Sequence, residues 1–558
     1  MVDKSLVIKQ LTELGFQPKA GTAIPSYRGR LKAGKVEVPV VLEIPDFSFV
    51  DLPVVRIDSG FADEHQLRGH LSGGNALCYT DENALVLDPF QPIASIRAVF
   101  ELCQETLREL LHGNTEPAIR AEIASYWRGD CYYVIDDPKT LKRVTRGFIE
   151  LSSGKGLQVV ASSKVSIKNW AGRLRKRYEI YDEIPAVVID GDIPSPPPLT
   201  NLARASSWLD EIVGSEKDWL FKNTIDTSAP SAIIIGSNGI VGFRGKENAT
   251  VKQALRGKGF RKSSAKNLWR AQAEKIKIEK FYGHVSTHAE MISRNANSSP
   301  PLTGKRICLI GCGTIGGYLA RMLVQSGAGT DTAFTLVDNQ VFLPENVGRH
   351  LLGFSSVGKM KAEAMAQELL RDFPAADVEP IAKSANEMLG QFRSYDLIID
   401  ATGTERFSAA LNILAKELRA SSGYPPIVYS MIFGNGAAVQ SFLDKGGADD
   451  ACYQCLRPEY GKPWRYDPLK IKPAEVEVVV RPCSVGSFVP FGVEASVSAA
   501  TLTLRQVLDF FSGDSSATLR TRAINPKVGI GITDKTVTRS PKCPACSVAF
   551  EASGAATS

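Results

Sequence analysis

Between Ile307 and Leu323 the chain reads ICLIGCGTIGGYLARML. An apolar, strand-like run breaks at Gly311-x-Gly313-x-x-Gly316 and continues at helical spacing. A strand, a glycine turn and a helix in that order form the dinucleotide fingerprint, in which backbone amides at a helix start face a phosphate. The pattern commits this part of the chain to alternating strands and helices. It leaves open whether the ligand carries hydride or phosphoryl chemistry.

The alternation continues from Leu302 onward. RICLIG, AFTLVDN and YDLIIDATG read as strands, and GGYLARMLVQSG and KMKAEAMAQELLRDF as helices, which predicts a doubly wound parallel sheet. Asp338 closes the second strand and suits a ribose. Asn346 and Arg349 follow it, and Lys361 opens the next helix. An amide and two cations around a glycine loop suit a triphosphate better than a hydride carrier. Asp400 ends a further strand, where a carboxylate is placed to hold Mg²⁺ on phosphates.

Ten cysteines punctuate the 558 residues. The start MVDKSLVIKQLTELGF lacks the apolar core of a secretory signal, and no apolar run reaches the roughly 18 residues of a membrane span. A cytoplasmic protein without a membrane segment is expected. There the thiols are better read as metal ligands, nucleophiles or core residues than as disulfides. ACYQC gives Cys452 and Cys455, and KCPAC gives Cys543 and Cys546. Two such knuckles close a tetrahedral Cys₄ site for Zn²⁺ with no open position, so the metal is expected to be structural rather than the pairs redox-active. Cys483 stands alone in RPCSVGSFVPFG, ahead of a helical run, where a thiolate is favoured. Cys308 and Cys312 read as packing residues of the nucleotide fold.

The first 115 residues differ in pattern. A short helix precedes strand-like YRGRLKAG, VEVPVVLEIP and VDLPVVRID. A glycine-rich stretch carrying Cys78 follows, and then a helix over PIASIRAVFELCQETLRELLHG. This is an α+β domain with Cys103 in its core. The middle, 116–293, has strand-like QVVASSKVSI and SAIIIGS, a Pro-rich break at DIPSPPPLTN, and no motif that assigns it a role. His284 and His288 read there as two surface histidines. Lys and Arg exceed Asp and Glu by 66 to 60, a net charge of +6 spread over a long chain. Nucleic-acid binding is not expected without a nucleic-acid motif.

The ordered stretches GCGTIGG, LVDNQVFLPENVGRH, VGKMKAEA and DLIIDATG, with the two knuckles, resemble the adenylation domain of ubiquitin-activating enzymes and of the ThiF-type adenylyltransferases. The resemblance implies that Gly311, Gly313 and Gly316 cradle ATP and Asp338 holds its ribose. It also implies that Asn346, Arg349 and Lys361 hold the phosphates and Asp400 the Mg²⁺. It implies a homodimer, in which a partner's arginine reaches the phosphates, with Arg294 as the candidate. Cys483 occupies the region where such enzymes attack the adenylate. The N-terminal order of helix, strands, His-containing stretch, Cys78, Pro-containing segment and helix resembles ubiquitin-conjugating enzymes. It lacks their His-Pro-Asn triplet, since Leu71 and Ser72 follow His70. Asn75 or another donor would have to replace the missing asparagine.

Together the resemblances divide the chain into a conjugating-like domain (1–115), a middle domain (116–293) and an adenylation domain (294–558). A fusion of this order resembles those of cyclic-oligonucleotide-based antiphage signalling (CBASS) operons. What it implies is adenylation of a protein's C-terminal carboxylate, a thioester on Cys483, transfer to Cys78 and conjugation to a target amine. The implied substrate is a cGAS/DncV-like nucleotidyltransferase, or else a ubiquitin-like protein of another bacterial operon. Two other readings stay open: a sulfur-carrier adenylyltransferase with an unrelated N-terminal domain, and a non-catalytic scaffold.

Overall fold

The computed structural model describes residues 4–546, apart from 66, 68, 81–83, 113–122, 128, 215–216, 225–228, 247, 250, 252, 254–261, 294–300, 422, 473–474, 480–488 and 515. The chain divides into two compact units. One is Met1–Phe148 with Leu157–Lys164 and Glu179–His284; the other is Ile149–Gly156, Val165–Tyr178 and Val285–Ser558.

The first unit opens with helix Lys4–Glu13, followed by strands β1 (Gln17–Pro18), β2 (Ser26–Ala33), β3 (Val36–Glu43), β4 (Val54–Ile57), β5 (Leu71–Ser72) and β6 (Ala76–Leu77). They form an antiparallel sheet in the order β1-β2-β3-β4-β6-β5. Gly34, at φ 66°, supplies the left-handed residue that a two-residue turn between β2 and β3 requires. Along β3, Val38, Val40 and Leu42 alternate inward. They meet helix Pro92–Leu111, whose Ile96, Val99, Phe100, Cys103, Leu107 and Leu110 form one buried stripe. Pro92 starts that helix where its missing N–H costs nothing. Cys103 is core, and burial pushes its thiol pKa up.

The strands β7 (Asp130–Val134), β8 (Arg143–Ser152), β9 (Lys155–Ala161), β10 (Tyr178–Val188), β11 (Ser231–Gly236), β12 (Gly239–Gly245) and β13 (Ile278–Val285) close a barrel in the order β10-β11-β12-β13-β7-β9-β8. A separate core forms there around Trp127, Trp208, Phe221 and Phe243. The stretch QVVASSKVSI is only half strand. Ser162 turns its N–H and Oγ to Asp136 Oδ2 at 2.6 and 2.5 Å, so β9 stops at Ala161 and a helix runs Lys164–Leu174. His288 is a further correction. His284 is exposed, but His288 opens helix His288–Ser293 at 3% exposure, with Nε2 3.1 Å from the carbonyl of Val324.

In the second unit β14 (Ile307–Ile310), β15 (Phe334–Val337), β16 (Val378–Ile381), β17 (Leu397–Asp400), β18 (Ile427–Phe433), β19 (Ala438–Asp444) and β20 (Leu519–Ala523) form one sheet, β16-β15-β14-β17-β18-β19-β20. The first five are parallel; β19 and β20 join antiparallel. Strands β14, β15 and β17 are buried at every residue, as expected of a sheet covered on both faces. Helices Thr314–Gln325, Lys361–Asp372 and Val493–Phe511 share one core, and helix Glu405–Ser421 packs Leu411 and Ala415 into a second. The strand order reverses at β14, which opens a crevice at the carboxyl ends of β14, β15 and β17.

The N-terminal core leaves no room on β2. A Cβ at Gly29 would stand 2.5 Å from the ring of Phe16, which is 1% exposed and stacked on Phe100. Gly29→Ala is expected to destabilise this domain by about 1–3 kcal/mol, the usual cost of overpacking, read as a lower midpoint in thermal or urea unfolding.

Candidate functional site: a nucleotide crevice, a cysteine cluster and an exposed thiol

The crevice at the switch point holds about 280 Å³ and is lined by the ends of β14, β15 and β17. Its glycines have different tasks. Gly311 is at φ 91°, and a Cβ there would lie 2.9 Å from the backbone of Ala401 and Thr402. A Cβ on Gly316 would stand 1.8 Å from the Gly311 carbonyl oxygen. Gly313 is the residue before helix Thr314–Gln325, and nothing lies within 4 Å of where its Cβ would be. The outer glycines thus close the turn, and the middle one leaves open space before the unpaired N–H groups of the helix start, where an anion is favoured.

Asp338 follows β15 and lines the same crevice. Its Oδ2 accepts from Cys312 N–H (2.8 Å) and its Oδ1 from Gln340 N–H (2.7 Å). One carboxylate therefore pins the glycine loop to the loop after β15. Lys361 is 7% exposed and donates to Gln340 Oε1 at 2.7 Å. Burial lowers its pKa, and Asp338 works against that shift. Arg349 lies over the Phe491 ring, 4.9 Å from its centroid, and burial lowers its pKa as well. Asn346 spends its carbonyl oxygen on Leu343 N–H (2.9 Å), closing its own short turn. Of the expected ligand residues, then, Gly311, Gly313 and Asp338 line the crevice. Lys361 feels the charges of both Asp338 and Arg349, and Asn346 shapes the chain that carries Arg349.

Asp400 is placed differently from the sequence expectation. It is 1% exposed and does not line the crevice. Its Oδ1 accepts from the N–H (3.0 Å) and Oγ1 (2.7 Å) of Thr402, and its Oδ2 from Ser408 Oγ (2.6 Å). Burial raises its pKa while these three donors hold it down. A buried carboxylate turned into its own loop, with three donors on it and no place on the crevice wall, does not fit a Mg²⁺ ligand. Thr402 and Thr404 reach the crevice instead, with Gln340, Lys383, Ser384 and Asn386 on its other walls. No motif marks these residues in the sequence. His350 was also missed. Its Nε2 donates to Cys312 O (2.7 Å) and its Nδ1 accepts from Leu352 N–H (2.9 Å), which fixes the neutral ring. Burial lowers its pKa in the same sense.

The knuckles converge. Cys452 Sγ lies 3.9, 3.8 and 3.6 Å from those of Cys455, Cys543 and Cys546, and Cys455 to Cys546 is 3.7 Å. Zn–S bonds of about 2.3 Å at tetrahedral angles place sulfurs about 3.8 Å apart. All four residues are buried, and Ser540 N–H points at Cys455 Sγ from 3.4 Å. Hydrogen bonds among the four thiols push Cys455 and Cys546 down and Cys452 and Cys543 up. Four buried sulfurs at these distances are spaced for one cation between them, and the donor set fits Zn²⁺.

Cys78 follows β6 and is exposed. Its N–H donates to His70 O at 2.8 Å, so the residue is fixed by the hairpin that carries it. Gly69, His70, Gly74 and Asn75 all have positive φ. Arg56, paired with Glu43, reaches Gly73 O at 2.7 Å. Asn75 points its amide to Ser59 Oγ at 3.5 Å. Cys308 and Cys312 are fully buried, and burial raises both thiols. Cys131 bonds to Tyr282. Cys483 and Arg294 lie outside the described residues.

The ThiF family matches residues 297–545, and the Prokaryotic E2 family B matches 13–131. The chain is similar to the ATP-dependent ubiquitin transferase-like protein Cap2 of Pseudomonas aeruginosa, 29% identical over 97% of this chain and 98% of that one. It is 38% identical to the protein of the same name from Vibrio cholerae over 30% of this chain and 28% of that one. Escherichia coli MccB with ATP aligns at 18% identity and a TM-score of 0.35, covering 53% of this chain and 85% of that one, too distant a likeness to argue from. The chain thus joins an E2-like domain to an E1-like ThiF domain and is an enzyme, and the ThiF match supports ATP as the nucleotide of the crevice. Among the described residues no helix is long and apolar enough to cross a membrane.

One zinc ion per chain is expected by elemental analysis of protein purified without chelator. Cys455→Ser should lose that metal and destabilise the second unit by several kcal/mol, because metal binding to such a site is coupled to folding.

Proposed function

We propose that this chain, an E2-like domain followed by a ThiF domain, activates the C-terminal carboxylate of a protein with ATP and conjugates it to an amine. A carboxylate oxygen attacks the α-phosphorus, the bond to the β-phosphate oxygen breaks, and pyrophosphate leaves an acyl-adenylate. The Cys483 thiolate then attacks the acyl carbon and AMP departs. Cys78 takes the acyl group from Cys483 by transthiolation. The target amine attacks that thioester, forming an amide and returning the Cys78 thiol.

The observation that carries this reading is an exposed thiol, held by a strained hairpin on an E2-like sheet, in the same chain as a nucleotide crevice with a phosphate cradle. Both requirements of the sequence of steps, a nucleotide site and an accessible nucleophile, are met by different domains. In this reading Asp338 meets the ribose, and Gly313 with the helix start meets a phosphate. Lys361 and Arg349 lend positive charge to it. In this reading Asp400 is assigned no metal, and no step is routed through Mg²⁺. The activated protein is proposed to be a cGAS/DncV-like nucleotidyltransferase of an antiphage operon, the enzyme a cytoplasmic homodimer, and 116–293 a domain of its own. A ubiquitin-like protein would present the same carboxylate.

The two thiols should be separable. Cys483→Ala and Cys78→Ala should both keep ATP–pyrophosphate exchange, since adenylation uses neither. Intact-mass analysis with ATP and a candidate carboxylate protein should find no thioester in Cys483→Ala. In Cys78→Ala it should find loading of Cys483 without conjugate. A thioester on Cys78 in the Cys483→Ala protein would reverse the order, and full conjugation by Cys78→Ala would remove its role.

A further inference from the structure

The hairpin between β18 and β19 turns through Gly434, Asn435 and Gly436, all in the left-handed region at φ 54°, 54° and 84°. It is pressed between two arms of the chain. A Cβ on Gly434 would stand 2.6 Å from Leu469 Cδ2, and one on Gly436 would stand 3.0 Å from Ala495 Cβ and 3.1 Å from Phe491 Cβ. The side chain between these glycines joins the arms. Asn435 Oδ1 accepts from Glu477 N–H at 2.9 Å, and its Nδ2 donates to Glu477 O at 2.9 Å and to Pro490 O at 3.0 Å. The two carbonyls only accept and the N–H only donates, which settles which way round the amide lies. The position asks for a residue that tolerates positive φ and carries both donors and an acceptor on a short side chain, and asparagine meets both demands. The outgoing arm is tied to the nucleotide helix. Arg349 covers the ring of Phe491, the residue after Pro490. Thr314, which opens helix Thr314–Gln325, donates its hydroxyl to Arg349 O at 2.9 Å and is paired with Ser496 Oγ in the first turn of helix Val493–Phe511. In sequence, Cys483 lies between the two residues that Asn435 holds.

We infer that Asn435 is a positioning residue for Cys483: it clamps Glu477 and Pro490, the two ends of the stretch that carries this thiol, to one point beside the nucleotide helix. A thiol on a stretch with both ends fixed has less conformational freedom to lose before it attacks than one tethered at a single end. Asn435 does not line the crevice, so it acts on the thiol through Glu477 and Pro490 and takes no part in adenylation. Its role in transfer rests on the reading that Cys483 attacks the adenylate; the clamp itself does not.

The test uses the full chain as wild type, Asn435→Gly and Asn435→Asp. Glycine accepts positive φ and removes only the clamp. Aspartate keeps the shape but sets a carboxylate oxygen against the carbonyls of Glu477 and Pro490. Three quantities are measured: hydrogen exchange at the Glu477 amide, ATP–pyrophosphate exchange, and the rate of thioester formation on Cys483 by intact mass. The last two use ATP and a cGAS/DncV-like nucleotidyltransferase with a free C-terminus as the probe. Asn435→Gly should speed exchange at Glu477. Both variants should keep wild-type pyrophosphate exchange and form the Cys483 thioester more slowly, by up to about a hundred-fold, the loss that a misplacement of about 1 Å can bring. Should Asn435→Gly fold poorly, Asn435→Asp carries the transfer expectation. Unchanged exchange at Glu477 in a folded Asn435→Gly overturns the clamp. Thioester formation at the wild-type rate, or an equal loss of both half-reactions, overturns the positioning role, since a purely structural residue would spare neither or harm neither. A wild type that forms no thioester on Cys483 overturns the nucleophile reading and takes the positioning role with it, and exchange at Glu477 still decides the clamp.

Discussion

The Gly311 carbonyl oxygen sits where a side chain on Gly316 would have to be, and the rest of the ThiF domain is arranged around that contact. Strand β14 can turn into helix Thr314–Gln325 within this distance only if both residues lack a Cβ. The turn brings the helix start to the end of β14, between the ends of β15 and β17. It also brings the backbone of Gly311 against Ala401 and Thr402, so the loop after β17 becomes a wall of the same crevice. A phosphate cradle made of backbone has no side chains to hold it in shape. Its neighbours must do so, and they do: Asp338 from below, His350 through the Cys312 carbonyl, and the Thr402 loop across the crevice.

Those neighbours explain why several charged groups here are engaged before any ligand arrives. Asp338 spends both oxygens on backbone N–H groups and Asp400 spends both on its own loop and helix. Their cost of desolvation is offset by hydrogen bonds to charged groups, worth about 1.5–3 kcal/mol each. Burial instead depresses the pKa of Lys361 and Arg349. Cations held under that stress gain most when a polyanion comes near, whereas the satisfied carboxylates gain nothing from moving.

This division also marks what was legible in the sequence. The glycine loop, the acid after the second strand and the two knuckles are patterns of local spacing, and local spacing fixes backbone geometry. The cysteine cluster needed only the convergence of Cys452 and Cys455 with Cys543 and Cys546. The inward turn of Asp400 was not legible. Ending a strand does not say which way a carboxylate faces, and its partners Thr402 and Ser408 carry no signature. His288 looked like a surface residue because its cover, the carbonyl of Val324, comes from a distant helix. The strand at QVVASSKVSI ended early because Ser162 found Asp136, a side-chain contact that hydrophobic pattern does not encode. The barrel strands follow no recurring motif, and their mixed pairing is a product of closure, so only scattered strand runs could be seen there.

The proposed transfer between two thiols gains something specific from being written into one polypeptide. When activating and conjugating domains are separate proteins, the thioester must find its acceptor by diffusion, and the encounter needs a docking surface strong enough to compete. Joined by a chain, the second thiol is presented at an effective concentration set by the length and stiffness of what connects the two domains. A weak or transient contact then suffices, provided both thiols can be reached. The described structure meets that proviso on the acceptor side: Cys78 is exposed, and its backbone is fixed by His70 and by the Arg56-bound hairpin, so little ordering remains when a thioester approaches. Selectivity has then to reside upstream, in the recognition of the carboxylate that enters the crevice domain. A fused enzyme of this kind should be permissive toward the transfer step and discriminating at activation, the reverse of systems in which many conjugating partners share one activating protein.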